Sequence, residues 1–104
     1  MKRIGFKMQL KPGCEEAYRH RHAQIWPDLI DLLKTSGISD YVIYLDKSSG
    51  TLYASQQVDE NFDQEELADH PVMRQWWEHM ADLMETNKDL SPVVMPLEEM
   101  FYLP

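Results

Sequence analysis

The order in which two hydrophobic periodicities alternate along the chain is the strongest constraint on its fold. Near the N-terminus, four apolar residues alternate with polar residues or glycine: Ile4, Phe6, Met8 and Leu10. This period of two predicts a half-buried β-strand. From about residue 14 to residue 36 the apolar spacing becomes three, four and seven, which predicts a helix that Gly37 ends. Because Pro27 lacks a backbone N–H and clashes with the preceding turn, we expect it to kink or split this helix near residues 24–26.

A β-hairpin is predicted in the middle of the chain. Residues 41–46 (YVIYLD) are rich in β-branched and aromatic side chains, which favour strands. Residues 47–50 form a turn sequence, and residues 51–58 form a second strand.

The C-terminal half is predicted to contain helix first and strand last. Residues 59–69 are acidic and give at most a short helix. His70-Pro71 marks a helix start, because proline fits the first helical turn, and residues 72–85 continue as an amphipathic helix. Residues 86–96 form a loop, and the alternation over residues 97–103 predicts a last strand.

The resulting order, β-α-β-β-α-β, predicts a single α+β domain over residues 1–104. This is the ferredoxin-like arrangement, an antiparallel sheet with helices on one face. Both alternating sets of residues 41–46 are apolar, so the second sheet face needs cover as well. We therefore expect a symmetric homodimer packed sheet to sheet, of the dimeric α/β-barrel type. The apolar C-terminus, residues 100–104, should be docked on its own subunit or across the dimer.

Composition excludes several classes of protein. Eighteen acidic against ten basic residues give a net charge of −8, which disfavours nucleic acid and anionic membranes as partners. The one cysteine, Cys14, cannot form an intrachain disulfide and fits a reducing compartment, so we expect a cytoplasmic protein. Without a neighbouring base, Cys14 is expected to be inert.

No metal or cofactor is expected from the sequence. His20 and His22 are two residues apart and diverge around a helix, and His70 and His79 are nine apart and also diverge. Neither a CxxC nor an HExxH motif occurs. The glycine-rich motifs of dinucleotide and nucleotide-phosphate sites are absent as well.

Tyr18 and His22 are the first candidate site. They are four residues apart and share one helix face with Ile25 and Leu29, the face expected to meet the sheet. One interpretation is a core histidine whose nitrogens are hydrogen-bonded. The other is a histidine at a cleft that transfers a proton near neutral pH.

Trp76-Trp77 is the second candidate. Adjacent helical residues point about 100° apart, so one indole can pack inward while the other borders a cleft. One interpretation is that both are core aromatics. The other is that they form a flat apolar surface for a sugar ring, with Trp26 as a further wall. Tyr41 and Tyr44 lie on opposite faces of one strand, and the alternation does not say which approaches His22.

Five segments together resemble the L-rhamnose mutarotase family. They are residues 18–22 (YRHRH), 25–29 (IWPDL), 41–46 (YVIYLD), 74–77 (RQWW) and 101–104 (FYLP). The family consists of cytoplasmic, ferredoxin-like dimers that interconvert the α and β anomers of L-rhamnose without a cofactor. The resemblance implies that His22 is the proton donor. It implies that four residues bind the sugar: Tyr18, Tyr41, Trp76 and Trp77. It carries nothing onto residues 59–69.

Two other functions remain open from the sequence. One is a non-catalytic sugar-binding module of the same fold. The other is a cofactor-free ferredoxin-like monooxygenase, which would consume oxygen and be indifferent to deoxysugars.

Overall fold

The protein is a four-stranded antiparallel sheet with helices packed on one face. The computed structural model describes residues 1–104. The elements in chain order are β1 (Lys2–Gln9), α1 (Glu15–Ala23), α2 (Pro27–Thr35), β2 (Ile38–Asp46), β3 (Thr51–Val58), α3 (Gln64–Asp69), α4 (Pro71–Met80), a 3₁₀ turn (Ala81–Leu83) and β4 (Met95–Leu97). The strands lie in the order β2-β3-β1-β4, and every pairing is antiparallel. The predicted ferredoxin-like fold is confirmed.

Proline splits the first helical segment as predicted. Helix α1 ends at Ala23, and Pro27 is the first residue of α2. Trp26, between them, has an extended backbone with ψ of 133°. The break makes α1 and α2 separate helices.

The core lies between the helices and one sheet face. Its buried strand residues include Met8, Leu52 and Val58, and its buried helix residues include Leu29 and Met80. The other sheet face carries no layer of this chain, and Tyr44 remains 65% exposed there. No helix of the protein combines the length and the apolar character needed to cross a membrane.

Strand β2 contains a bulge that reverses its alternation. Ser39 pairs with Gln57 and Val42 pairs with Ser55, so two residues, Asp40 and Tyr41, oppose the single residue Gln56. Asp40 adopts a positive φ of 47° at this point. The extra residue places Tyr41 on the helix-covered face, where its ring meets Phe6 edge-on at 6.3 Å.

Helix α4 is shorter than predicted. It ends at Met80 and tightens into the 3₁₀ turn, instead of continuing to residue 85. The reason is a competing backbone partner at the end of β1. Lys11 N–H donates to the Leu83 carbonyl at 2.9 Å, and Glu85 N–H donates to the Gln9 carbonyl at 2.9 Å.

The predicted last strand, residues 97–103, is wrong. Strand β4 is Met95–Leu97, so two of its residues fall in the predicted loop and only Leu97 falls in the predicted strand. It pairs only with residues 5–7. The tail beyond it is held by side chains rather than by a ladder of backbone bonds. The Arg3 guanidinium stacks on the Tyr102 ring at 3.9 Å and pairs with Glu99 at 3.6 Å. Phe101 stays 81% exposed.

Candidate active site

Helix α1 brings Tyr18 and His22 together on its sheet-facing side, one turn apart. Their ring centroids are 4.4 Å apart. The Nδ1 atom of His22 lies 3.2 Å from the Tyr18 carbonyl oxygen. Because a carbonyl only accepts, Nδ1 carries the hydrogen and donates it. The lone pair of the neutral ring is then on Nε2.

The protonation state of His22 follows from its surroundings. Burial lowers the pKa of His22 below the usual 6.5, and the hydrogen bond to the Tyr18 carbonyl only partly opposes this shift. The imidazole is therefore neutral at pH 7. A neutral imidazole with a free Nε2 accepts a proton from a ligand that reaches it.

Helix α4 supplies the two tryptophans, and they have different surroundings. Trp76 is only 6% exposed, and its ring is edge-on to His22 at 5.4 Å. Trp26 packs edge-on behind it at 5.1 Å. Trp77 is half-buried and lines the cleft, whereas Trp26 is not among the lining residues. Trp26 thus supports Trp76 and does not form the wall that the sequence suggested.

The two phenols of the site are held in their protonated form. Although 39% of Tyr41 is exposed, desolvation of its hydroxyl raises its pKa to about 12. Burial also raises the pKa of Tyr18, and the nearby Tyr41 raises it further. Both hydroxyls are donors at neutral pH. Tyr41, rather than Tyr44, is the tyrosine of this strand that faces the helices.

These side chains line one cleft of about 1260 Å³ between the helices and the sheet. The five residues singled out from the sequence all line it: Tyr18, His22, Tyr41, Trp76 and Trp77. Aromatic walls with a few convergent polar groups are typical of a small-molecule site. A volume of this size accommodates a single sugar ring.

Arg21 of α1 forms hydrogen bonds to the C-terminal end of α4 and to the turn that follows it. Its guanidinium donates to both carboxylate oxygens of Asp82, at 2.7 and 3.1 Å, and to the His79 carbonyl at 2.6 Å. The contact joins α1 to the C-terminal end of α4. It therefore links the helix that carries His22 to the helix that carries the two tryptophans.

Gln56 also lines the cleft and was missed in the sequence. It is 6% exposed and is the one polar residue among the fully buried positions. The sequence does contain a signal for it. The even-numbered residues of β3 are otherwise apolar, and Gln56 interrupts them between Ala54 and Val58.

No group of three or more His, Cys, Asp or Glu side chains is close enough to hold a metal ion.

Comparison with known proteins identifies the family. A family model described as L-rhamnose mutarotase matches residues 3–103. The chain belongs to the L-rhamnose mutarotase family. An L-rhamnose mutarotase of Brucella anthropi is 50% identical over 102 residues, covering 98% of this chain and 96% of its own. An L-rhamnose mutarotase of Jannaschia is 48% identical over 104 residues, covering both chains completely.

A solved structure extends the similarity to three dimensions. The crystal structure of an L-rhamnose mutarotase from Formosa agariphila superposes with a TM-score of 0.93. It is 45% identical, and the match covers 100% of both chains. Membership of the mutarotase family makes this chain an enzyme of the isomerase class. It favours neither the sugar-binding module nor the monooxygenase.

Proposed function

We propose that this protein interconverts the α and β pyranose anomers of L-rhamnose. The observation that carries the proposal is a neutral His22 whose Nε2 is free, placed in an aromatic cleft beside two protonated phenols. This set of groups suits proton transfer on a small neutral ligand. The relatives' names supply the identity of the sugar.

Ring opening needs one proton removed and one delivered. Nε2 of His22 takes the proton of the anomeric hydroxyl, and the oxygen's electron pair forms the carbonyl. The bond between the anomeric carbon and the ring oxygen breaks, and the ring oxygen takes its electrons. A phenol, Tyr18 or Tyr41, donates a proton to that oxygen. The product is the open-chain aldehyde, and no redox change occurs.

Ring closure reverses both transfers. The aldehyde carbon turns so that its opposite face meets the hydroxyl that was the ring oxygen. That hydroxyl adds to the carbon and returns its proton to the phenolate. The His22 imidazolium gives its proton to the carbonyl oxygen, which becomes the anomeric hydroxyl of the other anomer. His22 is thus the proton acceptor in opening and the proton donor in closing.

The remaining residues bind the sugar. The apolar C–H face of a pyranose lies on an indole, and Trp77 offers its ring to the cleft. The phenols hydrogen-bond sugar hydroxyls. Trp76 also lines the cleft and contacts the sugar there, and its ring holds His22 in place from the side.

The experiment is saturation-transfer NMR on L-rhamnose at anomeric equilibrium, with and without the protein. We expect protein-dependent exchange between the α and β signals. His22→Ala should lower this exchange by roughly 10²–10⁴-fold, the usual contribution of a placed acid–base group. His22→Asn keeps a polar side chain but no titrating group, so it should be as slow as His22→Ala.

The outcomes separate the possible functions. Sugar binding without exchange would contradict the proposal and favour a binding module. A near-normal rate in His22→Ala would leave the reaction standing but remove His22 from it. Circular dichroism of each variant checks that the fold is intact.

We further propose that the single domain works as a cytoplasmic homodimer joined through the open sheet face. Exposed apolar side chains on that face support this, among them Val42, Tyr44, Tyr53 and Leu97. The net charge of −8 disfavours nucleic acid and anionic membranes as partners. The single cysteine fits a reducing compartment.

A further inference from the structure

Gln56 is a buried polar side chain with no partner in the protein. It is 6% exposed on β3, between Ala54 at 4% and Val58 at 3%. Its carboxamide makes no hydrogen bond to any other residue of the chain. In this protein, every side-chain nitrogen or oxygen that is completely buried has a hydrogen-bond partner. The amide atoms of Gln56 are therefore open to the cleft that this residue lines.

Stability gives no reason for a glutamine at this position. Partial desolvation of an amide that has no partner in the protein is unfavourable, and the positions on either side in the same buried row are apolar. Methionine has nearly the same length and would pack against the same neighbours without that penalty. A ligand that completes the hydrogen bonds of the carboxamide explains its presence.

The register of the sheet places Gln56 beside a residue of the candidate site. The β2 bulge sets Asp40 and Tyr41 opposite Gln56, and Tyr41 points to the same face. Gln56 is thus on the sheet side of the cleft next to Tyr41, whereas His22 and the two tryptophans line it from the helices. A ring lying in the cleft meets Gln56 from the sheet side.

We propose that Gln56 is a substrate-binding and specificity-determining residue that holds two neighbouring ring hydroxyls of the sugar. This inference rests on the proposed function. A carboxamide presents an N–H donor and a carbonyl acceptor side by side, which matches a vicinal diol with one hydroxyl accepting and the other donating. These hydroxyls do not react in ring opening. Gln56 therefore contributes to sugar affinity and to the choice of sugar rather than to proton transfer.

The test combines Gln56→Met with sugar analogues that each lack one ring hydroxyl. We expect Gln56→Met to weaken L-rhamnose binding and raise KM about tenfold or more, because both hydrogen bonds of the carboxamide to the sugar are lost, with little change in kcat. The wild-type protein should bind at least one analogue about tenfold more weakly than L-rhamnose. Gln56→Met should bind that analogue and L-rhamnose equally. Tryptophan fluorescence measures binding, and NMR exchange measures the rate.

The matched control is Gln75→Met, the same change at an exposed position of α4 that does not line the cleft. It should leave affinity, KM and the preference among analogues unchanged. Thermal unfolding of Gln56→Met should occur at the wild-type temperature or higher, which separates binding from folding. If that variant fails to fold, Gln56→Glu keeps the shape and the acceptor but loses the donor, and it should also bind more weakly.

Failure of this inference is distinct from failure of the proposed function. A wild-type protein that exchanges the anomers, with Gln56→Met equal to it in KM and in preference among analogues, would overturn the role of Gln56 alone. A wild-type protein that binds the sugar without exchange still tests Gln56 by affinity. A wild-type protein that neither binds nor exchanges L-rhamnose would overturn both.

Discussion

Trp76 and Trp77 are consecutive residues, but Trp76 is buried among aromatic rings and Trp77 is open to the cleft. Trp76 is packed among His22, Trp26 and His79, with ring centroids 5.1 to 5.6 Å away. Trp77 is half-buried and open to the cleft. Trp77→Ala should therefore raise KM with a small loss of stability. Trp76→Ala should lower the free energy of unfolding by about 3–5 kcal/mol. Urea unfolding and exchange kinetics on both variants check this, and a normal KM in Trp77→Ala would exclude its contact with the sugar.

His22 also sets the pH dependence. Its pKa in the folded protein is below 6.5, and the neutral form is the active one, so kcat/KM should fall with decreasing pH around a midpoint below 6.5.

The unfolded chain binds this proton at a higher pH than the folded one. The stability that His22 contributes is therefore present above pH 6.5 and is lost as the pH falls through the folded pKa. Exchange rates corrected for the uncatalysed reaction measure the midpoint. A midpoint above 6.5 would contradict a neutral, desolvated His22.

Among the connections between elements, the one from α2 to β2 depends most on a single residue. Gly37 has a φ of +100°, and a Cβ there would collide with the Asp59 carboxylate. That carboxylate accepts a hydrogen bond from Asn61 N–H at 2.9 Å, which holds it in place. Gly37→Ala should therefore lower the free energy of unfolding by about 3 kcal/mol or more, since backbone strain and a clash combine.

Gly13 provides the matched control for that prediction. Its φ is +80°, but nothing lies within 4 Å of its missing Cβ. Gly13→Ala should cost only the backbone strain, about 1–2 kcal/mol. Equal losses in urea unfolding of the two variants would show that the Asp59 contact is unimportant.

Sequence periodicity predicts those elements whose signals are local. Pro27 correctly predicted the break between α1 and α2. The strand predicted over residues 51–58 has the limits of β3. The end of α4 was wrong because β1, distant in sequence, captures the backbone after Leu83. The last strand was wrong because alternation says nothing about whether a partner strand extends far enough to pair.

The candidate site shows the same division at β2. Helical spacing put Tyr18 and His22 on one face, but strand alternation left Tyr41 and Tyr44 undecided. The bulge at Asp40 reverses the alternation within β2, so that Ile38 and Ile43 share the buried side although one position is even and the other odd. The family resemblance, not the pattern, selected Tyr41. Gln56 interrupts the apolar positions of β3 in the sequence, but only the packed structure shows that its amide lacks a partner and reaches the cleft.

At the scale of the whole molecule, the uncovered sheet face determines assembly. Tyr44 and Tyr53 are cross-strand partners there, 65% and 40% exposed. We expect sedimentation to show a particle of twice 12.3 kDa. Tyr44→Glu should produce monomers, because a charge without a partner disfavours burial in an apolar interface. Gln75→Glu, on the outer side of α4, should remain dimeric. A monomeric wild-type protein at micromolar concentration would contradict the dimer.

The strand order has a consequence for how the chain acquires its shape. Strand β1 is made before the other strands, yet it lies between β3 and β4 and pairs with residues as distant as Leu97. The hairpin of β2 and β3 closes locally, whereas β1 must wait for partners about forty-five to ninety residues later in the chain. Such non-local pairing slows folding. A nascent chain therefore carries an unpaired edge of β1 until β4, about ninety residues later, has been made.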